Sequence, residues 1–245
     1  MLIQIIFKSF KNSPARGCVP AQDKLGDAYY YGEKVAQSYV KAFEWYSKAA
    51  VQGHACAQHD LGMMYAYGEG ITKNDVKAFE WYSKAANQGY ALSQHNLGVR
   101  YEKGQGVTKN DVKAFEWYKK AAVQGLASAQ HNLGLMYVYG QGVSQNYAKA
   151  FEWFSKAAAQ EHAGAQYDLG SMYANGHGIA QITALSNTWY LKAANNGNPM
   201  AQFNIGKKYL NGDNGLQKKR GQALNWLKKA SDNEHIEAKL MLAGL

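Results

Sequence analysis

The sequence predicts an all-α fold, an α-solenoid of about six helix-turn-helix repeats of 36 residues. Three observations carry that expectation. Tryptophans stand at 45, 81, 117, 153 and 189, each 36 residues after the last, and Trp226 follows after 37. The string "KAFEWYSKAA" at Lys41 returns at Lys77, then as "KAFEWYKKAA" at Lys113 and "KAFEWFSKAA" at Lys149. Glycines recur at the points where helices should stop, and only three prolines interrupt 245 residues.

The elements follow in chain order. Residues 1–20 read as an irregular segment or a worn half-repeat, because Phe7 and Gly17 keep the register while Pro14 argues against a regular helix. Repeats then start at Ala21, Ala57, Ser93, Ala129, Ala165 and Ala201, filling 21–237, and a partial capping helix occupies 238–245. In the second repeat, helix A is expected from about Ala57 to Tyr67, with Gly68 as its left-handed stop. "GEGITKN" is the loop, with Gly70 as its second turn residue, and Asn74 sits where an N-cap belongs. Helix B then runs to about Gln88 and stops at Gly89. Ser38, Asn110 and Asn146 repeat the cap, whereas Ile182 and Lys219 do not. Glu161 and Glu234 replace the glycine after helix B, and Lys34 replaces the second loop glycine of the first repeat.

Faces follow from 100° per residue. On helix A, Ala57, Gln58, Leu61, Gly62 and Tyr65 recur across repeats within about 140°. Gly62 costs about 1 kcal/mol inside a helix, so its recurrence predicts a close helix–helix approach. On helix B, Ala78, Phe79, Trp81, Tyr82, Ala85 and Ala86 form the apolar face, with Lys77, Glu80 and Lys84 opposite. Such a repeat buries that face only by stacking on its neighbours.

The pattern A-x-x-x-L-G-x-x-Y-x-x-G-x-G-[VI], then a cap, then A-x-x-W-[YF]-x-K-A-A-x-x-G, resembles the Sel1-like repeat family, relatives of the tetratricopeptide repeats. The match covers about 21–237, with local departures at Lys34, Leu185 and Leu224. The resemblance implies a right-handed superhelix whose concave face, lined largely by A helices, holds a protein or peptide. It implies a non-enzymatic scaffold or adaptor of the kind found in bacterial signalling, envelope assembly and host interaction. A bacterial immunity protein neutralising a cognate toxin is the alternative within binding. The alternative of another class is a β-lactamase-like hydrolase, as in a cysteine-rich branch associated with β-lactam hydrolysis, though this chain lacks that branch's paired cysteines in each repeat.

Composition narrows the function. With 47% hydrophobic and 18% charged residues the chain is built to bury a core. The net charge of +9 gathers at the two ends, with Lys8, Lys11 and Arg16 unopposed in 1–20, rather than along a working face. No nucleic-acid partner is therefore expected. No stretch approaches the ~20 apolar residues of a membrane helix, so no membrane insertion is expected. Cys18 and Cys56 read as two reduced thiols, with a single bridge as the alternative. "MLIQIIFKSFKN" lacks the charge order and cleavage site of a signal peptide, so the expected compartment is the cytoplasm, or the periplasm or exterior if the true start lies upstream.

Chemistry was sought separately. Ser38-Tyr39-Val40-Lys41 spells S-x-x-K, but Ser38 occupies the cap position. His59, His95 and His131 recur one per repeat, so they form a row spaced by roughly one helix-packing distance of 8–10 Å. A metal needs ligands converging on one point, and the row continues as Tyr167 and Phe203. No catalytic residue, metal or cofactor is assigned.

The row instead marks the helix A face opposite the recurring arc. Asp60, Met63 and Tyr67 share that face with His59. The later repeats present Asn96 and Lys103, then Asn132, Leu135 and Tyr139, then Asp168 and Asn175, then Asn204 and Asn211. A variable, aromatic and polar stripe on a rigid array suits recognition of a protein surface. These seventeen positions, with His59, His95, His131, Tyr167 and Phe203 among them, are the expected partner-binding residues.

Overall fold

The computed structural model describes residues 21–212 and 215–244; the half-repeat expected at 1–20 and Cys18 lie outside them. The described residues are helices and turns, with no strand among them. The chain divides into two compact units, Met1–Gln124 and Gly125–Leu245.

In the first compact unit α1 (Ala21–Tyr31) pairs with α2 (Tyr39–Val51), α3 (Ala55–Tyr67) with α4 (Asp75–Asn87), and α5 (Ala91–Lys103) with α6 (Asp111–Val123). In the second, α7 (Ala127–Tyr139) pairs with α8 (Tyr147–Ala159), α9 (Ala163–Asn175) with α10 (Thr183–Asn195), and α11 (Pro199–Asn211) with α12 (Arg220–Asp232). The last helix, α13 (Ile236–Ala243), packs on α12. Within each compact unit the second helix of a repeat also packs on the first helix of the next. Helix hairpins stacked on their sequence neighbours make an α-solenoid, the all-α class the periodicity predicts.

The second helices begin where the caps predict. Asn74 Oδ1 accepts from the Lys77 N–H at 2.9 Å, Asn110 and Asn146 repeat that bond, and Ser38 Oγ accepts from Lys41 at 3.4 Å. Ile182 and Lys219 make no side-chain cap. The first helices begin two residues earlier than the periodicity suggests, at Ala55 rather than Ala57. The first of the added residues recurs as Ala55, Ala91, Ala127 and Ala163, with Pro199 in the sixth repeat, while the second varies. Glu161 and Glu234, where other repeats use glycine, hold φ of 61° and 63°.

The interior helix A glycine seats a ring. A Cβ on Gly98 would lie 2.7 Å from the Tyr118 ring, and one on Gly134 2.5 Å from the Phe154 ring. The expected close approach is thus between the two helices of one repeat. It also relocates the aromatic core. Tyr46, Tyr118 and Phe154 are fully buried, while the tryptophan just before each is only half-buried and lies under a lysine, as Trp117 does under Lys120 at 3.9 Å. Those lysine stems and ammonium groups shield the indoles from water.

Buried glutamines tie repeat to repeat. Gln94 Nε2 donates to the Ala86 carbonyl at 3.1 Å, and Gln94 Oε1 accepts from Gln124 at 2.7 Å. Gln58 and Gln166 make the equivalent bonds, the latter with Asn196. A buried amide satisfied on both ends explains why glutamine recurs on the packing arc. Cys56 is disulfide-bonded, which corrects the expectation of a reduced thiol there.

Candidate partner-binding face

The stripe predicted on the first helices is layered by depth. Tyr67 and Tyr139 are 72% and 67% exposed, and Lys103, Asn175 and Asn211 are exposed with them. Asp60, Met63, His95, Asn96, His131, Asn132, Leu135, Tyr167, Asp168 and Asn204 are half-buried. His59 and Phe203 are buried at 5% exposure and offer no contact surface.

The histidine row owes this to packing between repeats. His59 Nδ1 is hydrogen-bonded to Ser93 Oγ at 2.8 Å, and its ring sits 5.2 Å from that of Tyr90. Burial pushes its imidazole down to about 4, so it stays neutral at physiological pH. His95 packs on Tyr118 and is likewise pushed down by burial. His131 Nε2 is hydrogen-bonded to Asp168 Oδ2 at 2.7 Å, with the His162 ring 4.7 Å away. Phe203 stacks on His235 at 4.4 Å. Tyr167 accepts from Asn204 Nδ2 at 3.4 Å. The His59–Ser93, His131–Asp168 and Tyr167–Asn204 pairs join consecutive repeats beneath the exposed layer.

Two crevices open on the stripe. The first, about 290 Å³, lies between the α3–α4 hairpin and α5, and it gathers Tyr67, Asn96 and Lys103 from the predicted set. The second, about 310 Å³, lies between the α7–α8 hairpin and α9, and it gathers Leu135, Tyr139 and Asp168. The other predicted residues line neither. Nine of the ten residues of the first crevice recur 72 residues later, two repeats on, in the second. The same site is therefore built twice, once in each compact unit.

Each crevice needs residues that the helix A reading missed. Lys73 and Asp75 come from the loop and first turn of helix B, and Tyr82 from its middle, with Gln145, Tyr147 and Phe154 as their counterparts. Arg100 supplies the wall where the second crevice has Met172. A signal for Arg100 was present, since three other repeats read Met64, Met136 and Met172 in its register, with Ala28 in the first repeat and a second cation, Lys208, in the sixth. Arg100 donates to Asp75 Oδ1 and lies 5.7 Å from the centre of the Tyr82 ring. Burial raises the Tyr82 phenol above its ordinary range, with the Arg100 charge opposing. In the second crevice His177 stacks on Tyr147 at 4.9 Å.

The chemistry of the face is that of contact. Ser38 of the S-x-x-K string is spent as a helix cap, its Oγ accepting a backbone N–H. Among the described residues no three His, Cys, Asp or Glu side chains are grouped to hold a metal ion. Among them, too, no helix is long and apolar enough to cross a membrane.

Comparison with known proteins agrees with this architecture. The family model described as Sel1 repeat matches residues 19–54, 57–90, 91–126, 127–162, 163–198 and 199–235. A Sel1 repeat protein from Oxalobacter formigenes is 33% identical, covering 94% of this chain and 91% of its own, with a TM-score of 0.84. A protective antigen of uropathogenic Escherichia coli, displaying an SLR fold, is 31% identical at a TM-score of 0.84. That match covers 99% of this chain and 51% of the antigen, so the chain spans about half the antigen's length. An immunity protein from Pseudomonas aeruginosa, 21% identical over 91% of this chain and 89% of its own, shares the fold at a TM-score of 0.61. No curated protein matches the chain.

Proposed function

Because the chain belongs to the Sel1 repeat family, whose helix-turn-helix arrays are non-enzymatic protein–protein interaction scaffolds, we propose that it holds a protein or peptide partner on the stripe of its first helices. One observation carries this reading. The same crevice is built in both compact units, each time beside an exposed tyrosine, Tyr67 or Tyr139. Tyrosine offers large contact area and a hydroxyl at low entropy cost, the usual profile of an interface anchor. The contact layer comprises Tyr67, Lys103, Tyr139, Asn175 and Asn211, backed by half-buried Met63, Asn96, Leu135 and Asp168.

The test is partner recovery by the tagged chain. Tyr67→Ala and Tyr139→Ala together should abolish it, while Lys84→Ala on the opposite side of the repeat should not. Full recovery by the double variant would reject the face.

We infer the compartment from Cys56. A disulfide persists in an oxidising environment, so the bonded state supports the periplasm or exterior over the cytoplasm. Chain recovered from its host without reductant should resist thiol alkylation at Cys56. Full alkylation would return it to the cytoplasm.

A further inference from the structure

The two equivalent crevices differ sharply in charge. Lys73, Arg100 and Lys103 line the first, and Asp75 is its one carboxylate, leaving a surplus of two positive charges. The second has Gln145 and Met172 in the registers of Lys73 and Arg100, and Asp168 among its walls. Asn175 stands in the register of Lys103. The fold thus forms this crevice without the cations. Nor does the acid at position 75 require Arg100, since Asp111 repeats it and pairs with Lys109 at 3.5 Å, while the register of Arg100 there reads Met136.

Arg100 is costly where it stands. Its side chain is 8% exposed, at a position where methionine serves in three other repeats and lysine in the sixth. Asp75, with its side chain 36% exposed, meets the guanidinium from one side. Among the described residues it accepts one hydrogen bond from a group that carries five N–H donors. Lys73 Nζ stands 3.8 Å from the same carboxylate, and exposed Lys103 completes the rim. A held guanidinium with donors to spare, two flexible ammonium groups and an apolar floor form a receptor for a carboxylate.

We infer that the first crevice receives an acidic side chain, aspartate or glutamate, from the protein partner. The inference rests on the stripe reading above and adds its chemistry. A volume of about 290 Å³ admits one such side chain. Exposed Tyr67 at the rim packs against the segment that carries it. The occupant is an acidic protein segment because the crevice opens on the same surface as the exposed stripe, where a polypeptide spans both.

The experiment selects dodecapeptides from a random phage-displayed library on the immobilised full chain. Wild-type chain should enrich peptides containing Asp or Glu. Their affinity should fall at least about tenfold with Arg100→Met, with Lys103→Met, and when the peptide acid becomes its amide. Methionine stands in the register of position 100 in three other repeats, and Lys103 is exposed, so the second variant reads the charge should the first lose its fold. Selected peptides that bind the stripe without acidic enrichment, or that ignore both substitutions, overturn the inference and leave the stripe reading intact. Peptides insensitive to Tyr67→Ala and Tyr139→Ala overturn the stripe reading itself.

Discussion

Gly98 and Tyr118 show how one residue sets the geometry of a repeat. The ring is fully buried against a backbone that carries no side chain. Gly98→Ala forces a methyl to within 2.7 Å of that ring. The gain in helix propensity, about 1 kcal/mol, is smaller than the overpacking cost of about 1–3 kcal/mol. Denaturant unfolding should show a net loss, and a more stable variant would mean the ring has room to shift. The tryptophan register behaves differently. Trp117 is half-buried beneath Lys120, so its truncation should cost less than the about 3–5 kcal/mol of a fully buried aromatic, a loss that belongs to Tyr118.

His59 makes a second prediction at this scale. Burial holds its folded imidazole down at about 4, against 6.5 ordinarily. Between those values the unfolded chain binds a proton that the folded chain refuses. Stability is therefore lost as pH falls from 6.5 towards 4, by up to roughly 3 kcal/mol. Asp23 acts with opposite sign, since burial first and the Asp27 charge second raise its carboxyl to about 7, adding stability as pH falls below that value. Comparing wild type with His59→Gln isolates the histidine. The wild-type advantage at pH 7 should shrink on acidification to pH 4, and a constant difference would mean the imidazole protonates in place.

At the scale of the element, helix starts and stops are set by single side chains. Ile182 stands at an N-cap with no side-chain acceptor, 40% exposed. Ile182→Asn should restore the bond made by Asn74, Asn110 and Asn146 and add about 1 kcal/mol. Glu161 sits at φ 61°, where glycine escapes the left-handed penalty of about 1–2 kcal/mol, so Glu161→Gly should also stabilise. Thermal unfolding checks both, and a fall in either midpoint would show that the native side chain makes a compensating contact. These elements were legible because caps and stops are local chemistry repeated in register. The depth of the stripe was not legible. A helical wheel separates faces by angle, but His59 and Tyr67 share a face and differ in burial, because Tyr90, beyond helix B, and Ser93 of the following repeat cover only the histidine. Lys73 and Asp75 escaped because they join the site from a loop and another helix, which no wheel brings together.

At the scale of the whole molecule, stability should follow chain order. Each repeat buries its apolar face on its neighbours, so a loss in one repeat is felt first by those adjacent to it. Tyr118→Ala empties the seat at Gly98 and removes the hydroxyl that donates to Glu102 at 2.6 Å. The cost is local to α5 and α6. Amide exchange, which reads opening free energy helix by helix, should therefore accelerate most in those two helices, less in α3 and α4, and least in α11 to α13. The exposed layer of the stripe gains its rigidity from this stacking, so partner affinity should fall with protection in the same repeats. Equal acceleration in every helix would mean that the chain opens as one cooperative block, and that the contact surface is maintained by the whole array rather than by neighbouring repeats.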